Sequence, residues 1–198
     1  KKLVASYRVT PGIMEFDSLD IQTDKSRIGH YYAMKYDHFN KDFGDYISKV
    51  VMVGNLKNSL VHSDDIAFFA PELKTIKKSV EISGNYKGTV DDFTVNNSFV
   101  KNGASFLTGT FSMKGLPDID KTLITLDNGN LQTNARDLAQ FIPVLKTFTN
   151  PNIAALGNII FRGNFKGYYN DFKTTGNIST NLGSAYTDIN LKFPDKTE

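Results

Sequence analysis

The sequence predicts a mainly β protein with short helices: an elongated, strongly curved antiparallel sheet of repeated β units. Three observations carry that reading. Among 198 residues there are 18 Asn, 17 Asp and 17 Thr against 10 Ala and 4 Glu, with 15 Phe and 9 Tyr. Turn formers and strand formers therefore outweigh helix formers. Long stretches alternate apolar and polar residues with period two, and the chain repeats itself.

The repeat comes first, because it sets the organisation. Ser83-Gly84-Asn85-Tyr86-Lys87-Gly88-Thr89-Val90-Asp91-Asp92-Phe93 returns 79 residues later as Arg162-Gly163-Asn164-Phe165-Lys166-Gly167-Tyr168-Tyr169-Asn170-Asp171-Phe172. Asp65-Ile66-Ala67-Phe68-Phe69-Ala70-Pro71 returns 72 residues later as Asp137-Leu138-Ala139-Gln140-Phe141-Ile142-Pro143. A weaker echo, offset by 74, links Leu19, Ile21, Gly29 and Tyr32 to Phe93, Val95, Gly103 and Phe106. One elongated segment follows, with approximate units 1–76, 77–148 and 149–198, the first and last truncated.

Each unit opens with a two-faced strand. Val80, Ile82, Gly84, Tyr86, Gly88 and Val90 share one parity, while Glu81, Ser83, Asn85, Lys87, Thr89 and Asp91 share the other. Successive strand side chains point to opposite faces, so one face is dry and the other wet. Ile159, Phe161, Gly163, Phe165, Gly167 and Tyr169 repeat the dry face, and Leu3, Ala5, Tyr7 and Val9 give a shorter version. Glycines four apart on that face mark a bend or a close approach to the backbone. Asn102-Gly103, Asp127-Asn128-Gly129-Asn130 and Leu182-Gly183 read as turns spacing further strands.

The second part of the unit is helical. Ile66, Phe69, Ala70, Leu73 and Ile76 fall on one helical stripe, and Leu138, Phe141, Ile142, Leu145 and Phe148 reproduce it. Ser63 and Asn134 are the expected caps. Pro71 and Pro143 predict a break inside each helix, and the stripe needs the sheet as its cover.

Function classes fall away quickly. With 23 basic and 21 acidic residues the chain carries +2, too balanced for a nucleic-acid partner. Cysteine is absent, which removes disulfides and thiolate chemistry. There is no apolar run near 18 residues, and Leu3 to Val9 reads as a strand already under way, the expectation being a segment of a longer protein. His30, Tyr32, Met34, Tyr36 and His38 would share one face of an extended strand, with the two histidines about 26 Å apart and unable to share an ion. Asp42-Phe43-Gly44 has no phosphate loop or catalytic loop beside it and reads as a turn. Asn96-Asn97-Ser98 and Asn177-Ile178-Ser179 are sequons of the kind Asn-rich turns generate. Acid pairs such as Asp64-Asp65 and Asp91-Asp92 sit where caps and turns need them. No nucleophile has a base and an orienting group in view. The reading is non-enzymatic, with no cofactor and no metal.

A long β repeat with glycines on its dry face, followed by Asp-Ile/Leu-Ala-x-Phe-x-Pro, resembles the AsmA-like clan, and within it TamB-type (translocation and assembly module) proteins of Bacteroidetes envelopes. The residues are Gly84-Asn85-Tyr86-Lys87-Gly88 to Asp92-Phe93, Asp137 to Pro143, and Gly163-Asn164-Phe165-Lys166-Gly167 to Thr180-Asn181-Leu182-Gly183. The resemblance covers most of residues 50–198 and is weaker before them. It implies a half-open, taco-like groove in a large periplasmic protein anchored in the inner membrane. Such a groove carries phospholipid between the membranes, supports outer-membrane protein assembly, or does both. Phospholipid acyl chains are then the partners, along with an outer-membrane assembly-type barrel protein met through other parts of the parent. The candidate groove residues are Ile82, Tyr86, Val90, Phe161, Phe165 and Tyr169. The alternative is a structural or adhesive β-repeat module that binds protein or glycan through its polar face, with Tyr31, Tyr32 and Tyr36 as its contacts.

Overall fold

Alternating apolar and polar side chains run through eleven stretches of the chain, and each is a strand. The computed structural model describes residues 1–67, 77–141, 152–168 and 170–192. The strands are β1 (Lys2–Thr10), β2 (Ile13–Gln22), β3 (Arg27–Lys35), β4 (Val51–His62), β5 (Ser79–Gly88), β6 (Asp92–Asn102), β7 (Ser105–Lys114), β8 (Leu123–Asn134), β9 (Asn158–Gly167), β10 (Asp171–Thr180) and β11 (Gly183–Lys192). The α-helices among the described residues are α1 (Phe39–Gly44), α2 (Tyr46–Lys49), α3 (Ser63–Ile66) and α4 (Ala135–Phe141). All strands form a single antiparallel sheet, β1 to β11 in chain order, each paired only with its neighbours in sequence. The sheet does not close on itself.

Cross-strand register assigns every strand residue to a face. Tyr86 lies opposite Gly54 and Val95, Val95 opposite Phe111, Phe111 opposite Leu126, and Leu126 opposite Phe165. No Asp, Glu, Lys or Arg of any strand points to this face. The opposite face holds the charges, and seven cross-strand ion pairs lie on it, among them Arg8–Glu15, Arg27–Asp20, Lys114–Asp92 and Lys173–Asp188. The predicted dry and wet faces therefore extend across the whole sheet.

A crease crosses the strands at mid-length. Ser18, Asn58, Asn97 and Asn128, on β2, β4, β6 and β8, all have φ near +50°. Each sits in a bulge where the register slips. Asn tolerates left-handed backbone because its side chain bonds locally, and an extra residue bends and twists a strand. The next residue in each case, Leu19, Ser59, Ser98 or Gly129, is buried on the apolar face. Apart from Leu19 these residues are small, and the reason is crowding. A Cβ on Gly129 would stand 2.7 Å from Leu126 Cγ, and one on Gly84 2.7 Å from Val95 Cγ1. Neighbouring apolar side chains lean over the crease. Asp127-Asn128-Gly129-Asn130, expected as a turn, is this bulge inside β8, whereas Asn102-Gly103 and Leu182-Gly183 do lie at hairpin ends.

The repeat has a structural counterpart. β4 and β8 are both 12 residues long and each runs straight into a helix, α3 or α4. The start of each helix is tied to the start of the strand paired with the one it follows. Asp65 Oδ2 accepts from Ser26 Oγ and Thr23 Oγ1 beside β3, and Asp137 Oδ2 accepts from Ser105 Oγ of β7 at 2.8 Å. The Asp of the recurring motif is a clip, not an acid–base group. Asn134 caps α4 as expected, its Oδ1 accepting from the Asp137 N–H at 2.9 Å. The cap of α3 is His62 in place of Ser63: Nδ1 accepts the Asp64 N–H, and Ser63 Oγ accepts from the Lys78 N–H. The proline breaks and the outer parts of both helical stripes lie outside the described residues. The 74-residue echo has no structural counterpart, since Gly29 lies within β3 and Gly103 in a hairpin turn. The bulges at Ser18 and Asn97 align those strands instead.

Candidate functional site

The crease divides the apolar face into two walls, and the predicted residues fall on both. Ile82 and Phe161 stand on one wall, Tyr86 and Phe165 on the other, with Gly84 and Gly163 at the crease between them. Ile82 faces Ser59 and Val100, and Phe161 faces Leu131 and Ile178. Three strands separate β5 from β9, which places the two pairs about 19 Å apart along the groove. They line one surface without touching.

One correction applies to the predicted set. Val90 is not a strand residue, because β5 ends at Gly88 and the chain turns there. Its N–H donates to the Ile47 carbonyl at 3.0 Å, which fastens the turn to α2. A Cβ at Gly88, with φ +141°, would strike the Asp92 carbonyl and Phe93, so the next strand already closes in at this point. Tyr169 lies outside the described residues.

Aromatic pairs repeat on the second wall. Tyr86 stacks on Phe93 with centroids 4.8 Å apart and planes at 27°, and Phe165 meets Phe172 at the same separation. Each pair flanks a glycine, since Gly88 lies opposite Phe93 and Gly167 opposite Phe172. The Tyr86 hydroxyl donates to the Thr89 carbonyl at 2.8 Å, which leaves its ring to the groove. Burial pushes the Tyr86 and Tyr32 phenols well above the usual tyrosine range, as a dry surrounding does to a group that ionises to an anion.

Helices α1 and α2 sit over β3 and β4 on the second wall and are fastened to the turn after β5. The Tyr46 hydroxyl contacts the Tyr32 hydroxyl at 3.0 Å and the sulfurs of Met52 and Met34 at 3.2 and 3.7 Å. Phe43 packs between Tyr36 and Tyr46. Asp42-Phe43-Gly44, expected as a turn, is the end of α1, and the Asp42 carboxylate reaches back to the N–H groups of Asp37 and His38 at 2.7 and 2.9 Å. Those two hydrogen bonds hold its carboxyl below the usual range.

Tyr31, Tyr32 and Tyr36 do not form one binding surface. Tyr31 lies on the charged face and donates to Glu15 Oε1 at 2.7 Å, Tyr32 lies on the apolar face, and the buried Tyr36 donates to the Thr10 carbonyl at 2.9 Å. His30 is exposed on β3 and His38 stands beyond the strand, just before α1, so the shared strand face expected for residues 30 to 38 stops at Lys35. Among the described residues no three His, Cys, Asp or Glu side chains are placed to hold a metal, and no helix is long and apolar enough to cross a membrane.

The positive-φ residues were not foreseen, although the sequence carries their signal. The apolar parity switches within each of these strands, from Met14 and Phe16 to Leu19 and Ile21, and from Ile124 and Leu126 to Leu131 and Thr133. A parity switch at Ser or Asn is the mark of a bulge. No family model matches the chain, and no curated protein or solved structure is significantly similar to it.

Proposed function

We propose that this sheet is a segment of a phospholipid-conducting groove in a periplasmic envelope protein of the TamB type, whose parent is anchored in the inner membrane. One observation carries the reading: an apolar face free of charged strand residues crosses all eleven strands, with α1 and α2 covering only part of it. At ordinary strand spacing that is about 48 Å, roughly three times the depth of one bilayer leaflet. Acyl chains lying along the groove would meet apolar side chains at every strand, while a headgroup stays at the open side. Each buried methylene contributes about 0.8 kcal/mol, so the hold on a lipid grows with the length of acyl chain buried. The absence of charges along the path leaves nothing to pin the cargo at one strand. Support for outer-membrane protein assembly, with a barrel partner, belongs to the same proposal through other parts of the parent.

The test places a photo-crosslinking residue at Ile82, Tyr86, Phe161 or Phe165 of the protein in its native cell, with Glu81 and Lys87 as opposite-face controls. Phospholipid adducts at the first four positions and none at the controls are expected. Adducts only to the protein's own chain would make the face an ordinary core and end the lipid reading. Adducts to another protein at Glu81 or Lys87 would favour a binding module that works through its polar face.

A further inference from the structure

All four methionines of the chain stand in one row of the apolar face. Met14 lies directly opposite Met34, and Met34 directly opposite Met52. The row continues through Gly88 and Phe93 to Met113. Apolar burial explains why methionine chooses this face, but it does not explain three on adjacent strands at one level. Directly opposed residues hold their Cβ atoms about 4.5–5.5 Å apart, a gap that flexible thioether arms can close. Tyr46 of α2 shows two sulfurs converging: its hydroxyl lies 3.2 Å from Met52 Sδ and 3.7 Å from Met34 Sδ. With no cysteine in the chain, these thioethers are its soft donors.

From the convergence of Met34 and Met52 beneath α2, and from Met14 directly opposite Met34, we infer that these three residues form a binding site for a soft monovalent cation, Cu(I) or Ag(I), on the second wall. Thioether sulfur selects such ions, whereas hard divalent ions demand oxygen ligands, and no strand carboxylate faces this row. A monovalent charge is also the less costly one to hold among neutral ligands in a dry setting. The ion takes the place of the Tyr46 hydroxyl as the partner of the sulfurs. The site stands independently of the lipid reading.

The experiment titrates the protein with Ag(I) and follows it by calorimetry, by native mass spectrometry and by the NMR signals of methionine methyls labelled with carbon-13. One Ag(I) per chain is expected, shifting the methyls of Met14, Met34 and Met52 and leaving Met113 in place. The variant M14L/M34L/M52L, which conserves volume, should weaken binding at least about 100-fold. Tyr46→Phe should keep or tighten it, because the competing hydroxyl is gone. Zn(II) should leave all four methyls unmoved. Affinity unchanged in the triple variant, or equal shifts at Met113, would overturn the site. Should the triple variant fail to fold, the methyl shifts of the unaltered protein decide alone.

Discussion

The backbone N–H of Asn128 donates to the side-chain Oδ1 of Asn164 on the neighbouring strand at 2.9 Å. Asn58 does the same toward Ser83 Oγ, also at 2.9 Å. Both N–H groups belong to bulge residues whose left-handed backbone leaves the ladder. A polar side chain from the next strand of the charged face takes up the hydrogen bond that the sheet can no longer provide. The bend is thus supported from outside, while its inner side is kept clear by small residues.

Conformation at the crease is open to a direct check. Asn97→Val forces a β-branched residue into φ +51° and should destabilise the protein by about 1–2 kcal/mol, whereas Asn97→Gly should cost little. Urea unfolding of the two variants makes the comparison. Equal stability of the two would mean that the bulge relaxes into regular strand.

Close approach of β9 and β10 sets a second expectation. A Cβ on Gly163 would run into the Thr175 carbonyl and lie 2.7 Å from Gly176 Cα, so Gly163→Ala should cost about 1–3 kcal/mol. At Gly44, in the last turn of α1, a Cβ meets nothing within 4 Å. Gly44→Ala should be neutral or stabilise by up to about 1 kcal/mol. Thermal melts of the pair distinguish crowding from a general intolerance of alanine.

The aspartate clip gives a third. Removing the Asp137 carboxylate deprives Ser105 Oγ and Asn134 Nδ2 of an acceptor, each now at 2.8 Å. Asp137→Ala should cost about 1 kcal/mol and speed hydrogen exchange in α4 ahead of β8. Uniform acceleration across both elements would show that the clip does not act locally.

The fourth concerns pH. Lys25 and then Lys77, each 2.6 Å from the Asp64 carboxylate, hold its carboxyl at about 2. Since the folded value is the lower one, the ion-pair contribution is complete above the ordinary carboxylate pKa of about 3.9. It is lost as pH falls from there through about 2. Carboxyl NMR should show Asp64 titrating near 2, and near 4 in a Lys25→Ala/Lys77→Ala variant. High salt should narrow the difference, because all three groups meet solvent.

Much of this fold was legible in the sequence because period-two alternation reports directly on a sheet with one dry face. Ile82, Tyr86, Phe161 and Phe165 could be placed from parity alone. Val90 could not, because parity continues through the turn where Thr89 and Asp92 bond and the strand has already stopped. Asn128 was misread for a related reason. Asp-Asn-Gly favours left-handed backbone both in hairpin turns and in bulges, and only the parity switch beyond it separates the two. The pairing of Asp65 with Ser26 and of Asp137 with Ser105 spans 39 and 32 residues, a separation on which local pattern is silent.

Sequential pairing in a single layer has a thermodynamic consequence. Because every strand is hydrogen-bonded only to those before and after it in the chain, stability approaches a sum of strand terms and nearest-neighbour interfaces, as in a one-dimensional array. Ordering can begin at any hairpin and spread in both directions, with the larger loop-closure costs at the long connections from β3 to β4, β4 to β5 and β8 to β9. Conversely, a group of neighbouring strands can melt while the rest persists, so unfolding need not strike a common centre.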